Sequence, residues 1–344
     1  RQMCIRDSFD TVTVNSWDSG IVVSRGVGSM KTINVSSSNG AGISVGSKYS
    51  ALFQDIVVTA KNRALWMVYS DGLQPQTFTN VTATSQNQQA INIERSTKMT
   101  FTNITATANS DNGIEFNYDT DGAHTLDTVT VNSSGSGIVA ARGLASVKSA
   151  NITADDIGIA MGNKYGGSFQ DLVISAKNEG LMINNSDGVS NGYSFANIKA
   201  TSKNRPAIRV TRSGLLTFSK ITATSNNDNV IQLDFGADGA HTFDDITLTN
   251  TGGNGKGLSS ITGLSSVKNA TVASQGIALD IGNKYSMTLD GVLAKSTQSE
   301  AIYLRNSGNS PLNYTLKNIT ISGTGGWNGD GLVVEQSNLV SAEN

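Results

Sequence analysis

Two glutamates, Glu94 and Glu115, have the type and spacing that could do chemistry. They lie in or just after matching short motifs, Ala90-Ile91-Asn92-Ile93 and Gly113-Ile114-Glu115-Phe116. Side chains alternate along a strand, so the apolar residues of these motifs face one way and Asn92, Glu94, Glu115 and Asn117 the other. Offset by two residues and one strand, the carboxylates stand about 8 Å apart. At such a separation one acid can protonate a leaving oxygen while the other activates water, as in an inverting glycosidase. Asp119 and Asp121 follow in the next turn. A solvated polar face is the simpler account, because positions 117 residues later carry Thr211 and Gln232, flanked by Arg209 and Asp234. No catalytic residue is assigned; Glu94 and Glu115 stand only as weak candidates.

Aromatic residues offer a second chemistry, stacking on sugar rings or on a protein partner. Trp66 and Tyr303 occupy the same outward place in their respective repeats, with Met182 between them, and Tyr49, Tyr165 and Tyr285 fall in turns one coil earlier. These five are the candidate ligand-binding residues, and rings folded back onto the protein are the competing reading. The two histidines, His124 and His241, are five repeats apart and cannot share a metal or a proton. Each ends an Asp-Gly-Ala-His string that reads as turn chemistry. Neither Gly325-Gly326-Trp327-Asn328-Gly329-Asp330 nor Asp119-Thr120-Asp121-Gly122 has the spacing of a calcium loop, so no metal site and no cofactor are expected.

What must position these residues is a repeated phrase, plainest at Phe101-Thr102-Asn103-Ile104-Thr105-Ala106-Thr107. Copies begin at Phe9, Met30, Phe53, Phe78, Leu126, Val147, Phe169, Phe195, Phe218, Phe243, Val267, Leu289 and Leu316, which makes fourteen copies 21 to 27 residues apart. A period in this range signals a solenoid. The leading apolar residue and the Ile or Val three places on cannot share a face of a straight strand, so the chain must bend sharply between them. Asp55, Asn80, Asn103, Asp171, Asn197, Asp245, Asn269 and Asn318 fill the bend and form a ladder of structural corners, since Asn and Asp tolerate the left-handed backbone. Adding the Gly/Ala-apolar-x-apolar strand found about ten residues later gives three short strands per coil. The fold class is an all-β parallel β-helix, one strand of each kind per coil, expected to be about 65 Å long from strand spacing.

A larger unit of 117 residues, five coils, recurs at Phe9, Leu126 and Phe243. Residues 1–8 read RQMCIRDS where the later units carry Asp-Gly-Ala-His-Thr. They look like translated adapter sequence and are expected to be foreign to a single solenoid over 9–344. The C-terminus has no evident cap, and the chain is expected to be an internal fragment of a longer protein.

Charged residues make up 15% of the chain and the net charge is -2, which argues against a nucleic-acid partner. There is no apolar run long enough for a membrane span, so no membrane contact by this segment is expected. The one cysteine, Cys4, excludes an internal disulfide.

The coil phrase and its Asn/Asp corner resemble the right-handed parallel β-helix of the pectin-lyase-like superfamily over residues 9–344. The Gly-His-Gly and Arg-Ile-Lys motifs of polygalacturonases are not matched, the Asp155-Asp156 pair has no accompanying acid, and no calcium carboxylates with a catalytic arginine are recognisable. The polar, near-duplicate coils are similar to autotransporter passengers and other bacterial adhesin-like proteins. That resemblance implies a structural or adhesive rod, extracellular or on the bacterial cell surface, presenting a polar face to polysaccharide, a neighbouring cell or a protein. A polysaccharide lyase or glycoside hydrolase, with a cleft on coils four and five, and a non-catalytic glycan-binding module remain the alternatives.

Overall fold

A computed structural model describes residues 7–343 apart from 25, 47–49, 71–74, 97, 118–121, 163–165, 185–191, 238, 307–311, 324–329 and 336–337. The chain divides into two compact units, Arg1–Tyr165 and Gly166–Asn344. Each is a parallel β-helix in which long and short strands alternate along the chain and each kind pairs in parallel with its like one coil away.

In the first unit the long strands are Asp7–Ser16, Val27–Ser37, Leu52–Ala60, Gln76–Ser85, Met99–Ala108 and His124–Ser133, followed by the split pair Leu144–Val147 and Ala150–Ala154. The short strands are Ile21–Val23, Ile43–Val45, Leu65–Ser70, Ile91–Ser96, Ile114–Phe116, Ile138–Ala140 and Ile159–Met161. The second unit repeats the scheme, with long strands from Gly167–Ala176 to Asn338–Glu343 and short ones from Leu181–Ile183 to Leu332–Glu335.

Each long strand contains the bend that the phrase demands. All eight Asn/Asp corner residues have positive φ, from 49° at Asn269 to 56° at Asp245. The bend inverts the alternation of burial: in Met99–Ala108, Phe101 and Ile104 are both buried although three residues apart, and Asn103 between them is exposed. The corners also bond to one another across coils. Asn80 Nδ2 donates to Asp55 Oδ1 at 2.7 Å and Asn103 Nδ2 to Asn80 Oδ1 at 2.8 Å. In the second unit Asn197 donates to Asp171 at 2.5 Å, whereas Asn269 donates to Asp244 rather than to Asp245. Thr11, Thr32, Thr128 and Lys220 take the same left-handed conformation without the Asn/Asp advantage. In the coil of Val147 the corner place is Ser149, which does not take positive φ, and there the long strand breaks in two.

Inside, like residues stack on like. Phe53, Phe78 and Phe101 form a parallel column with centroids 4.5 and 4.6 Å apart. Phe169, Phe195, Phe218 and Phe243 do the same in the second unit, at 5.1, 4.9 and 4.7 Å. A buried serine closes many long strands. The hydroxyls of Ser37, Ser85, Ser225 and Ser296 each accept a backbone N–H three residues on and donate to a turn carbonyl of the preceding coil, so the turn's polar groups are satisfied away from water.

At many short strands the residue before the strand is matched in size to its neighbour, although Val230 packs beside Leu248 at one of them. A Cβ added at Gly20, Gly42, Gly113, Gly137 or Gly257 would strike Val35, Val58, Val131, Ile152 or Val272, the inward residue one coil on. Where that place holds Ala64 or Ala90 instead, the corresponding inward residues are Ala83 and Ala106, all four buried.

Two outcomes follow for stability. Gly113→Ala is expected to cost about 1–3 kcal/mol by overpacking, and Val131→Ala in the same chain should cost less than its effect in the parent, a coupling that a double-mutant cycle in denaturant reads directly. Replacing a β-branched residue in the left-handed region, Thr128→Asn, should raise stability by about 1 kcal/mol. An unchanged or lower thermal midpoint would show that the corner tolerates threonine without strain.

Candidate functional site

The outward side of the short strands in the first unit brings three of the sequence candidates into one network. In coil order the outward residues run Val22, Ser44, Trp66, Asn92, Glu115, Val139 and Ala160. Trp66 therefore neighbours Ser44 and Asn92, not another aromatic residue. Glu115 is opposite Asn92, two residues before Glu94, as the offset from sequence requires.

Arg63, in the turn before Trp66, is the hub. Its guanidinium carbon lies 4.6 Å from the Trp66 ring centre, its Nη2 is 3.9 Å from Glu94 Oε1, and its Nε donates to Gln89 Oε1 at 3.3 Å. Gln89 in turn donates to Glu115 Oε2 at 3.0 Å, and Asn112 Nδ2 donates to the same oxygen at 3.0 Å. Glu115 is thus held by two amide donors, Glu94 stands at the outer limit of an ion pair with Arg63, and one face of the tryptophan is covered by a cation. Trp66 is half-buried, and its Nε1 has no partner among the described residues.

The second unit carries its charges on the same side but in different residues. Glu179, with a side chain only 4% exposed, lies beneath Arg205 Nη1 at 3.3 Å and Arg209 Nη1 at 3.5 Å. Arg209 Nε reaches Asp234 Oδ2 at 3.0 Å, and Gln232 donates to Asp234 as well. Further along, Asp280 is paired with Lys256, and Arg305 Nη2 lies 3.2 Å from each of its carboxylate oxygens. The Arg305 guanidinium sits 5.5 Å from the Tyr303 ring, and Tyr303 donates its hydroxyl to Glu335 at 2.6 Å, a bond that raises the phenol above its ordinary pKa. Tyr303 thus resembles Trp66 in being an outward ring covered by arginine, with Asp280 and Val333 as its strand neighbours. Met182 is outward beside Arg209. Tyr285 is about one-third exposed in the turn after Leu279–Asn283. Tyr49, Tyr165, Asp119 and Asp121 lie outside the described residues.

The histidines depart from expectation. His124 and His241 open the long strands His124–Ser133 and His241–Asn250, and both side chains are fully buried. The reason lies in the coil before. The N–H groups of Met99 and Leu216 point inward at strand starts, and His124 Nδ1 and His241 Nδ1 accept them at 3.1 Å. The proton then belongs on Nε2, which His241 donates to Ala237 O at 3.2 Å. His124 stacks on Phe116 at 4.9 Å, and its Nε2 has no partner among the described residues. Among the described residues no group of three or more His, Cys, Asp or Glu is placed to hold a metal ion.

Arg63, Arg305 and the buried acids Glu179 and Asp280 were missed in the sequence. The one signal available was an arginine within three residues of each outward aromatic, at Arg63-Ala64-Leu65-Trp66 and Tyr303-Leu304-Arg305.

The family model described as right handed beta helix region matches residues 19–157, less than half of the chain. No curated protein and no solved structure matches the chain. The matched stretch covers the Arg63 network, and the fold on both units is the right-handed parallel β-helix that this description names.

Burial holds the His124 pKa at about 3, against an ordinary value of 6.5. The unfolded chain therefore takes up a proton below about pH 6.5 that the folded chain refuses. Stability should be complete above that pH and fall as pH drops towards about 3, by at most about 1.4 kcal/mol per unit. His124→Gln, which keeps an acceptor for Met99 and cannot titrate, should flatten this dependence. Thermal midpoints of both chains between pH 7.5 and 4 check it, and parallel curves would assign the acid sensitivity elsewhere.

Proposed function

We propose that this solenoid is a structural and adhesive segment of a bacterial surface or secreted protein, non-catalytic, presenting its short-strand face to a glycan or protein partner. The carrying observation is that the acids on that face are engaged by neighbouring side chains. Glu94 goes to Arg63, Glu115 to two amides, Glu179 to two arginines and Asp280 to a lysine and an arginine. An inverting hydrolase needs one carboxyl free to give a proton and one free to take it from water. A surface built for contact needs them spent on holding long side chains in place, which lowers the entropy lost on binding.

The five-coil duplication supports the same reading. Equivalent outward places hold Glu94 and Glu115 in one copy and Thr211 and Gln232 in the next, while the inward residues keep their apolar character. Duplication of this kind lengthens a segment and varies its surface. The fold is shared by enzymes, so the reading rests on the site and not on the fold.

Incubation of the chain with a panel of acidic and neutral polysaccharides, recording retention and released sugar together, is the test. Retention without product, weakened by Trp66→Ala and by Arg63→Ala, is the expected result. Released product that disappears in Glu94→Gln or Glu115→Gln would overturn the reading and make the Arg63 network an active site.

A further inference from the structure

The sequence contains five Asn-Gly pairs, beginning at Asn39, Asn112, Asn191, Asn254 and Asn328. Such a pair can react with itself: the backbone nitrogen of the glycine attacks the side-chain carbon of the asparagine, and glycine, lacking a Cβ, puts nothing in the way. In a folded chain the reaction needs a carboxamide that can turn and a glycine N–H not already committed to a hydrogen bond. Asn191 and Asn328 lie outside the described residues. The other three pairs differ.

Two of them are tied down. Asn39 Oδ1 accepts from Lys61 Nζ at 3.2 Å, and the N–H of Gly40 donates to Ser37 Oγ at 3.1 Å. Asn112 is held more fully. Its Nδ2 donates to Glu115 Oε2 at 3.0 Å, its Oδ1 accepts the N–H of Ser136 at 2.9 Å, and the N–H of Gly113 donates to Ser136 O at 2.9 Å. Reaction at either pair has to wait for a local opening that breaks these bonds.

The third pair, in the second unit, has none of these restraints. Asn254 is exposed, and its side chain makes no hydrogen bond among the described residues. The N–H of Gly255 makes none either, although its carbonyl accepts from Gly276 N at 3.2 Å. The cause is the length of the turn. Seven residues, 251–257, join His241–Asn250 to Leu258–Ser260. Five suffice around Asn39, at 38–42, and five around Asn112, at 109–113. The longer turn is anchored at both ends, where Thr251 N–H donates to Ser225 O at 3.0 Å and Lys256 N–H donates to Asn229 Oδ1 at 2.9 Å. Between the anchors no backbone N–H of residues 252–255 is hydrogen-bonded among the described residues. Gly252 and Gly253, the latter at φ 67°, give that stretch room to adjust.

We infer that Asn254 is a site of spontaneous deamidation, selected by the fold from among the three described Asn-Gly pairs. Gly255 N gives its proton to water and bonds to Asn254 Cγ, and ammonia leaves, closing a cyclic succinimide. A second water opens the ring at one carbonyl or the other. The products are aspartate, or isoaspartate in which the main chain runs through the former side chain. Water is the one co-reactant and nothing is oxidised or reduced. Either product places a new carboxylate two residues before Lys256, the cation paired with buried Asp280. The modification needs no partner molecule and goes beyond the function proposed above.

The experiment is to hold the whole chain at mildly alkaline pH, with a parallel sample in concentrated urea, and to follow its peptides by mass over time. In the folded chain the Asn254 peptide should be lost to two products of the acid mass, while the Asn39 and Asn112 peptides persist. One product should accept a methyl group in an isoaspartyl methyltransferase assay. In urea all three pairs should convert at similar rates, because the hydrogen bonds that distinguish them are gone. Asn254→Gln, which would have to close a larger ring, should abolish the conversion and leave the thermal midpoint unchanged. An Asn254 peptide that stays intact in the folded chain would overturn the inference. So would conversion of Asn39 or Asn112 as fast as Asn254 without urea.

Discussion

One left-handed residue per coil, held in register with the residue above and below, is the constraint on which the rest of the structure depends. In a parallel sheet a slip of one position sends every inward side chain outward. Here the corner residues, with φ near 50°, occur once in almost every coil and align across coils. They convert a linear repeat into a column, and every other regularity is a consequence: stacked phenylalanines, serines closing the turns, and matched small and branched residues before the short strands. Where the corner is lost, at Ser149, the long strand splits even though its neighbours remain paired.

The stability of such a column is local and additive, since each coil touches only those beside it. That explains why size matching is settled pairwise. Gly113 exists because Val131 follows, and Ala90 is tolerated because Ala106 follows. The same locality lets outward residues change between copies without disturbing the core, which is how one scaffold comes to carry an arginine–tryptophan network in one unit and buried acids under arginines in the other.

Much of the fold was legible because its determinants are short-range and periodic. The apolar residue three places before Ile or Val, with Asn or Asp between, forces a bend whatever surrounds it, and the strand partners follow from counting. The candidate site was legible only in part. The offset between Glu94 and Glu115 could be read from register, but their engagement could not. Arg63 reaches Trp66, Gln89 and Glu94 through a long side chain whose direction no period encodes. The repeat places Trp66 outward but does not show that its strand neighbours are Ser44 and Asn92 or that Arg63 covers its ring. The histidines were misread for a related reason. Asp-Gly-Ala-His has the composition of a turn, yet an inward backbone N–H one coil earlier needs an acceptor, and burying an imidazole costs less than leaving that group unpaired.

The distribution of satisfied and unsatisfied polar groups separates the surfaces by role. At the corner edge, asparagine amides donate to the carboxylate or amide of the preceding coil, so the exposed line of left-handed residues is bonded along the ladder. On the short strands, carboxylates are consumed by cations and amides, giving a rigid but largely neutralised relief. On the long strands of the first unit, hydroxyls in perfect register are left to solvent, although threonine partners stand within one coil of each other and could bond. Threonine on the outer face of a strand is stiff at χ1 and packs its methyl against the neighbour one coil away, so these rows support the sheet they lie on. Their even repeat follows from the register that the corners impose on the sheet.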